Sequence, residues 1–525
     1  MSPRSADVLA FTRLLERAPS EASGQFTLEN GHLVIGEEDA LKEEKLTFGT
    51  VPRTLQYIKI VCMVTFRCGT CLLPSFLRPI SQPTSDPILN RLQTPSQPQS
   101  LEFLSGLRGV ASVIVFIFHF AHGSYPGMDY TYGEGDSNYY FLQLPIIRIF
   151  YAAEAMVALF FVISGYALSR HCVTHLRNGR FDNLFVAISS LAFRRAMRLF
   201  FPAITSSFLV YLAQRTGLMP SKGLPLDYEP NFVTDTRSYI RYLGKLLDVW
   251  TWDIDLIGWW YNPQLWTIPV EFRCSMVLFL HLVATARCRT SLRLLLDMAI
   301  AAQCMLTSRW DVALFIVGKL IAELEAIHKE LSKNQKKDSR QGAALASPIP
   351  RCSAFACQLE TVIFRFLLVI VFVVGLLLAS YPPSPSQEAP FYSFLSALVH
   401  HNRDGRRIYY ALAAPAMLVP LIFMPALQRP FNSSFARYLG RISYALYLVH
   451  GPMIRVVGGR ILKWAWSISG TKRRWTYNTG FAITSLLLTP VIVWAADLFE
   501  RGVDARCIKL AKWVEEITMG NTALK

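Results

Sequence analysis

Apolar residues along this chain do not alternate with polar ones; they gather in blocks of about 20. A helix of that length rises about 30 Å, the thickness of the hydrocarbon core of a bilayer. Ten such blocks follow one another, at 104–122, 151–170, 196–214, 264–286, 291–307, 309–327, 361–381, 407–427, 436–456 and 478–499. The pattern predicts an all-α fold, a polytopic transmembrane bundle of about ten helices. Only Ser308 to Asp311 separate the fifth and sixth blocks, which read as a tight hairpin or as one broken helix. Residues 1–55 are polar and mildly acidic and are expected to form a cytosolic N-terminal arm with little fold. Residues 56–100 read as an interfacial segment, interrupted by Lys59, Arg67 and Pro74, and then a Pro/Ser linker. The transmembrane domain is expected over 101–500, with a cytosolic tail over 501–525.

Composition sharpens this picture by exclusion. The 525 residues are 52% hydrophobic and 17% charged, against roughly 25% charged in soluble globular chains. A soluble multidomain enzyme, a disordered chain and a disulfide-stapled module are all excluded. The ten cysteines are scattered, and Cys68 and Cys71 form a CxxC without the second pair that a zinc site would need. No metal is expected. No apolar run follows the N-terminus, so no cleaved signal peptide is expected.

The net charge of +16 fits the excess of lysine and arginine in cytosolic loops. No basic block is interleaved with aromatics as a nucleic-acid groove requires. The second loop holds Arg170, Arg177, Arg180, Arg194, Arg195 and Arg198 against Asp182, whereas the first holds Asp129, Glu134 and Asp136 against Arg148. Even loops and both termini are therefore expected in the cytosol. One loop dissents: residues 457–477 carry Arg460, Lys463, Lys472, Arg473 and Arg474, yet alternation places them outside.

Ionisable groups inside the blocks cost at least ~2.5–3.5 kcal/mol each at the bilayer centre, so those present mark candidate chemistry. Arg108 stands at the cytosolic edge of the first block, and His119 is eleven residues, about 16 Å, deeper. His119 is either a capped core histidine or a neutral imidazole available as a base. Arg195 and Arg198, three apart, share one side of a helix. They either anchor the helix at the positive side or bind a phosphorylated ligand, and Arg194 reads as an anchor. Glu271 needs a partner, with an arginine of another helix the simplest one. His450 lies deep in the ninth block beyond Tyr444 and Tyr447, with packing and functional roles both open. Ser164 and Gly165 permit close helix approach, and Lys319 with Glu323, one turn apart, pair most simply with each other.

Five strings occur in order on successive predicted spans: LSGLRGVASVIVFIFH, FFVISGYALSR, RRAMRLFFPA, LWTIPVEF and LGRISYALYLVHGP. Together they resemble the membrane-bound acyltransferase-3 family from about Leu104 to about Leu498, and the run LLPSFLRP resembles its fungal branch. The resemblance implies an O-acyltransferase that moves an acyl group, most often acetyl, from cytosolic acyl-CoA to a hydroxyl, here of a fungal secondary metabolite or a glycan. It implies a catalytic role for His119, with Arg108 the arginine that precedes it, and acyl-CoA binding by Arg195 and Arg198. Glu271 matches the glutamate of the LW…EF motif and His450 the histidine of the LYL…H motif. Glu271 would orient an imidazole or neutralise an arginine. No bound cofactor is implied, acyl-CoA being a co-substrate. The sequence departs from the family at Ser105, where an aspartate is usual. A transporter or flippase would also bury His, Glu and Arg, but no internal symmetry supports it. A catalytically dead receptor is disfavoured because His119 and the arginines are kept.

Overall fold

The computed structural model describes residues 26–29, 32–35, 102–219, 231–252, 261–344, 351–383, 390–398 and 403–519. The interfacial segment and linker expected over 56–100, with Cys68 and Cys71, lie outside the described residues. The chain divides into a small unit, Met1–Cys71, and a large one, Leu72–Lys525. In the small unit, β1 (Phe26–Glu29) and β2 (His32–Ile35) pair antiparallel with Phe26 opposite Ile35. Asn30 and Gly31 stand between them in sequence, the dipeptide most favoured in a two-residue hairpin loop.

The large unit is helical. Its elements are α1 (Glu102–Ala121), α2 (Ala153–Arg177), α3 (Phe181–Arg215), α4 (Phe232–Leu247), α5 (Thr267–Ala284), α6 (Thr290–Leu306) and α7 (Trp310–Ala344). They continue with α8 (Arg351–Ala379), α9 (Arg403–Phe423), α10 (Ser434–Met453), α11 (Gly459–Ser469), α12 (Arg474–Phe499) and α13 (Ala505–Met519). All ten predicted blocks coincide with helices. Among the described residues, seven segments are long and apolar enough to cross a membrane. The exceptions have visible causes: α6 is only 17 residues long, α7 carries Lys319, Glu323 and Glu325, and α10 carries Arg437, Arg441 and His450. The fifth and sixth blocks are two helices and not one broken helix. Their turn puts Ser308 at φ 58°, the left-handed region that L-residues other than Gly enter at a cost.

Small residues set the closest contacts. α1 and α10 run parallel, Ser105 lying against Gly440 and His119 against His450. A methyl group at Gly106 would strike the Phe431 carbonyl, and one at Gly109 the Gly440 backbone. α2 and α7 pack the same way. Gly165 abuts the Phe315 backbone, and a methyl at Gly318 would stand 2.5 Å from Tyr166 N. The SGLRG, LGRIS and SGY strings therefore owe part of their composition to backbone approach.

Polar groups between α5, α6 and α7 join into a buried network. Lys319 pairs with Glu323 at 3.1 Å, as expected, and also with Asp297 at 2.6 Å. Arg293 binds Glu323 at 2.6 Å, and His281 binds Asp297 at 2.6 Å. Two cations thus meet two carboxylates, which keeps the network near neutrality where desolvation penalises an unpaired charge.

The dissenting loop finds its place beside the first. Tyr477 donates to the Ser124 carbonyl at 2.8 Å, Tyr125 to Asn478 Oδ1 at 2.9 Å, and Arg474 lies 4.6 Å from the Tyr140 ring centre. The first turns of α12 and the loop after α1 that carry these residues therefore share one face of the bundle. Part of the basic segment is α11, a helical continuation of α10 through a π-helical turn at Ile454–Gly458.

Candidate active site

Eleven residues of helix amount to three turns plus about 20°, so Arg108 and His119 project from one side of α1. Ser112, buried between them, lies on the same stripe. Ile117, 38% exposed, points roughly the opposite way. His119 is exposed on the side that faces α10, where its ring centre lies 5.3 Å from that of His450. The imidazole thus opens onto the interhelical side of α1, away from the apolar outer stripe.

His450 is completely buried. Its Nδ1 lies 3.0 Å from the Leu446 carbonyl oxygen. A carbonyl only accepts, so Nδ1 carries the proton and Nε2 is left with a lone pair. Nε2 has no hydrogen-bond partner among the described residues. One turn earlier, the Tyr447 hydroxyl donates to the Gln264 carbonyl and lies 2.7 Å from Thr267 Oγ1. The Tyr447 and His450 ring centres are 5.9 Å apart. The Gln264 side chain packs against Gly451, its Oε1 without a partner among the described residues.

At the other end of the stripe a cavity of about 360 Å³ opens between α1, α2, α3, α5, α10 and α13. Its lining includes Arg108, Arg194, Arg195, Arg198 and Lys512 against two carboxylates, Glu271 and Asp504. The arginines play distinct parts. Arg195 Nη2 donates to Glu271 at 2.8 Å and its Nε to Ser275. Glu271 also accepts from Ser164 Oγ at 2.9 Å, which ties α2, α3 and α5 together. Arg194, expected only to anchor α3, lines the cavity and pairs with Glu515 at 3.0 Å. Arg108 and Arg198 hold no hydrogen bond or ion pair to the protein among the described residues. Two guanidinium groups are thus free to bind a ligand in a cavity where cations predominate.

A narrower space of about 40 Å³ continues inward from this mouth. It shares Arg108, Ser164, Glu271 and Tyr444 with it and reaches Thr267 and Tyr447, one helical turn short of His450. The six residues singled out in the sequence therefore form two groups. Arg108, Arg195, Arg198 and Glu271 meet at the mouth, His119 and His450 meet about three turns deeper, and the narrow space lined by Tyr444 and Tyr447 extends from the mouth toward them and ends one turn short of His450. Glu271 stands with the arginines and not with an imidazole.

Several contributors carried no sequence signal. Ser275 and Gln264 are unremarkable in composition and matter only through contacts distant in sequence. Asp504, Ile508 and Lys512 fall in the segment expected as a tail, which is helical through Met519 and forms one wall of the mouth. The i, i+3, i+7 spacing of the apolar residues Leu510, Trp513 and Ile517 was the available signal.

The family described as an acyltransferase domain (acyltransferase-3) matches residues 101–497. The O-acetyltransferase PaAT-1 of Phomopsis amygdali is 30% identical over 440 residues, covering 79% of this chain and 84% of that protein. Acyltransferase R4 of a Phoma species is 24% identical over 465 residues, covering 78% and 94%. Acyltransferase clz18 of Cochliobolus lunatus is 25% identical over 449 residues, covering 77% and 93%. No solved structure matches.

Proposed function

The chain belongs to the acyltransferase-3 family, and from that premise we propose that it is a membrane-embedded O-acyltransferase using acyl-CoA, acetyl-CoA foremost, to modify a hydroxyl of a small fungal metabolite. The observation that carries this reading is the pair of unengaged guanidiniums, Arg108 and Arg198, at a mouth whose narrow extension reaches Tyr447, one helical turn from the His119–His450 pair. Acyl-CoA has the matching form: a multiply phosphorylated head on a long slender arm with the thioester near its end. Guanidinium forks suit the phosphates, and the thioester would travel about 16 Å along the α1 stripe. The acetyl group is favoured by the relative named as an O-acetyltransferase.

In the proposed reaction His119 takes the proton of the acceptor hydroxyl as its oxygen attacks the acyl carbon. The carbon–oxygen bond forms, the carbon–sulfur bond breaks, and the proton passes to the departing thiolate to give free CoA thiol. General base catalysis of this kind contributes ~10²–10⁴-fold. His450, its tautomer fixed by the Leu446 carbonyl, presents a bare Nε2 beside the reacting imidazole. Glu271 acts through Arg195, holding one wall of the donor mouth.

The test compares fungal strains that carry the wild-type chain or His119→Ala, at equal protein level, by mass spectrometry of their metabolites. Loss of one acyl unit from a product, with the unacylated alcohol accumulating, is expected and names donor and acceptor at once. Undiminished acylated product in the variant would overturn the assignment of His119. Vesicles of pure protein that pass the metabolite across without acyl-CoA would favour transport instead.

A further inference from the structure

The C-terminal helix α13 carries apolar residues on two sides. On one side Ile508 and Ala511 line the donor mouth, and Glu515 pairs with Arg194 of α3. On the other stand Leu510, Trp513 and Ile517, 40%, 58% and 61% exposed. Their i, i+3, i+7 spacing confines them to a stripe about 60° wide, roughly opposite Ala511, which is buried. Arg506 and Lys509 border the stripe, and neither holds an ion pair to the protein among the described residues.

Three observations select the occupant of this face. α13 continues from α12 through a π-helical turn, Glu500–Asp504, without a break in the helix. α12 belongs to a segment apolar enough to cross a membrane, so the bare stripe begins where a lipid-facing helix ends. A tryptophan among aliphatic residues, flanked by cations, is the composition of a helix lying in the headgroup boundary. The unpaired Arg506 and Lys509 complement anionic headgroups.

We propose that α13 is a membrane-surface helix: Leu510, Trp513 and Ile517 enter the anionic leaflet at which the arginine-lined cavity opens, and Arg506 and Lys509 engage its headgroups. The same helix then has the lipid on one side and the mouth on the other. The leaflet holds Lys512 and the Glu515–Arg194 pair in register with Arg195 and Arg198, and ligand entry takes place at the membrane surface. The lipid contact stands independently of the acyl-transfer reading.

The test places the photocrosslinker p-benzoylphenylalanine at position 513, and separately at the mouth-lining position 512, in the full chain held in phosphatidylcholine nanodiscs with or without phosphatidylserine. Lipid adducts at 513 roughly tenfold above those at 512 are expected. The excess should rise with phosphatidylserine and lose that rise in the Arg506→Ala/Lys509→Ala chain. Equal adducts at the two positions would overturn the proposal. So would a product of two crosslinked copies, which would make the stripe a protein interface, or an excess indifferent to phosphatidylserine and to both cations.

Discussion

Arg195 and Arg198 share one side of α3 yet differ in partners, so their loss should have different signatures. Arg198 binds no protein group among the described residues. Arg198→Ala should therefore leave stability unchanged and weaken donor binding by roughly tenfold or more, the worth of a charge-assisted hydrogen bond. An acyl-CoA titration checks this, and unaltered donor saturation would remove Arg198 from the binding site. Arg195 instead neutralises the mostly buried Glu271 at 2.8 Å. Arg195→Ala leaves that carboxylate uncompensated and should destabilise by about 3 kcal/mol, while Arg195→Ala/Glu271→Gln should recover much of the loss. Thermal unfolding of the single and double variants measures the coupling. At this scale residue types were legible and partnerships were not. A carboxylate in an apolar block announces a partner, but either an imidazole or a guanidinium satisfies that demand, and the choice depends on which helices adjoin α5. Arg194 shows the same limit, because its cavity wall and its partner Glu515 lie 321 residues away in sequence on a helix expected to be a tail.

Helix contacts decide how closely the two histidines approach. Gly440 packs on Ser105, with Ser105 Oγ 2.5 Å from where a methyl carbon would sit, whereas at Gly459 none of the described residues comes within 4 Å of that position. Gly440→Ala should therefore push α1 from α10, costing roughly 1–3 kcal/mol by overpacking, and should lower turnover by moving His119 away from His450. Gly459→Ala should stabilise by up to about 1 kcal/mol through helix propensity alone. Thermal stability in detergent, with activity on the same samples, separates them; a Gly440→Ala chain as stable and active as the parent would show that this contact does not set the histidine spacing. The helices themselves were legible because a span must be long and apolar. α13 was missed because it is 15 residues long and mixes charges with its apolar positions. The β1–β2 pair carried its own signal, Asn30-Gly31 between the short runs Phe26–Glu29 and His32–Ile35. Neither forms an apolar block of about 20 residues.

Topology is where charge and geometry pull apart. Counting lysines and arginines places residues 457–477 in the cytosol, while strict alternation of ten spans places them outside. The structure ties this region to the first loop through Tyr477 and Ser124, Tyr125 and Asn478, and Arg474 and Tyr140. Whatever side the first loop occupies, residues 474–478 share it. The donor mouth, with Arg198 and Lys512, lies about three helical turns away at the other end of the α1 stripe. The first helices usually dominate orientation, and two of the five dissenting charges are engaged by the protein: Arg460 donates to the Leu218 carbonyl at 2.9 Å, and Arg474 stacks on Tyr140. A cation held by a carbonyl or a ring is less free to retain its loop on the cytosolic side. In a variant lacking accessible native thiols, cysteines introduced by Ser124→Cys and Asn478→Cys should therefore react with a membrane-impermeant maleimide from the same side of sealed vesicles. Lys512→Cys should react only from the opposite side, and that side should be the cytosolic one if acyl-CoA enters there. Labelling of positions 124 and 478 from different sides would break the pairing of the loops; labelling of 512 only from the lumenal side would leave the loops paired but deny the arginines access to cytosolic acyl-CoA.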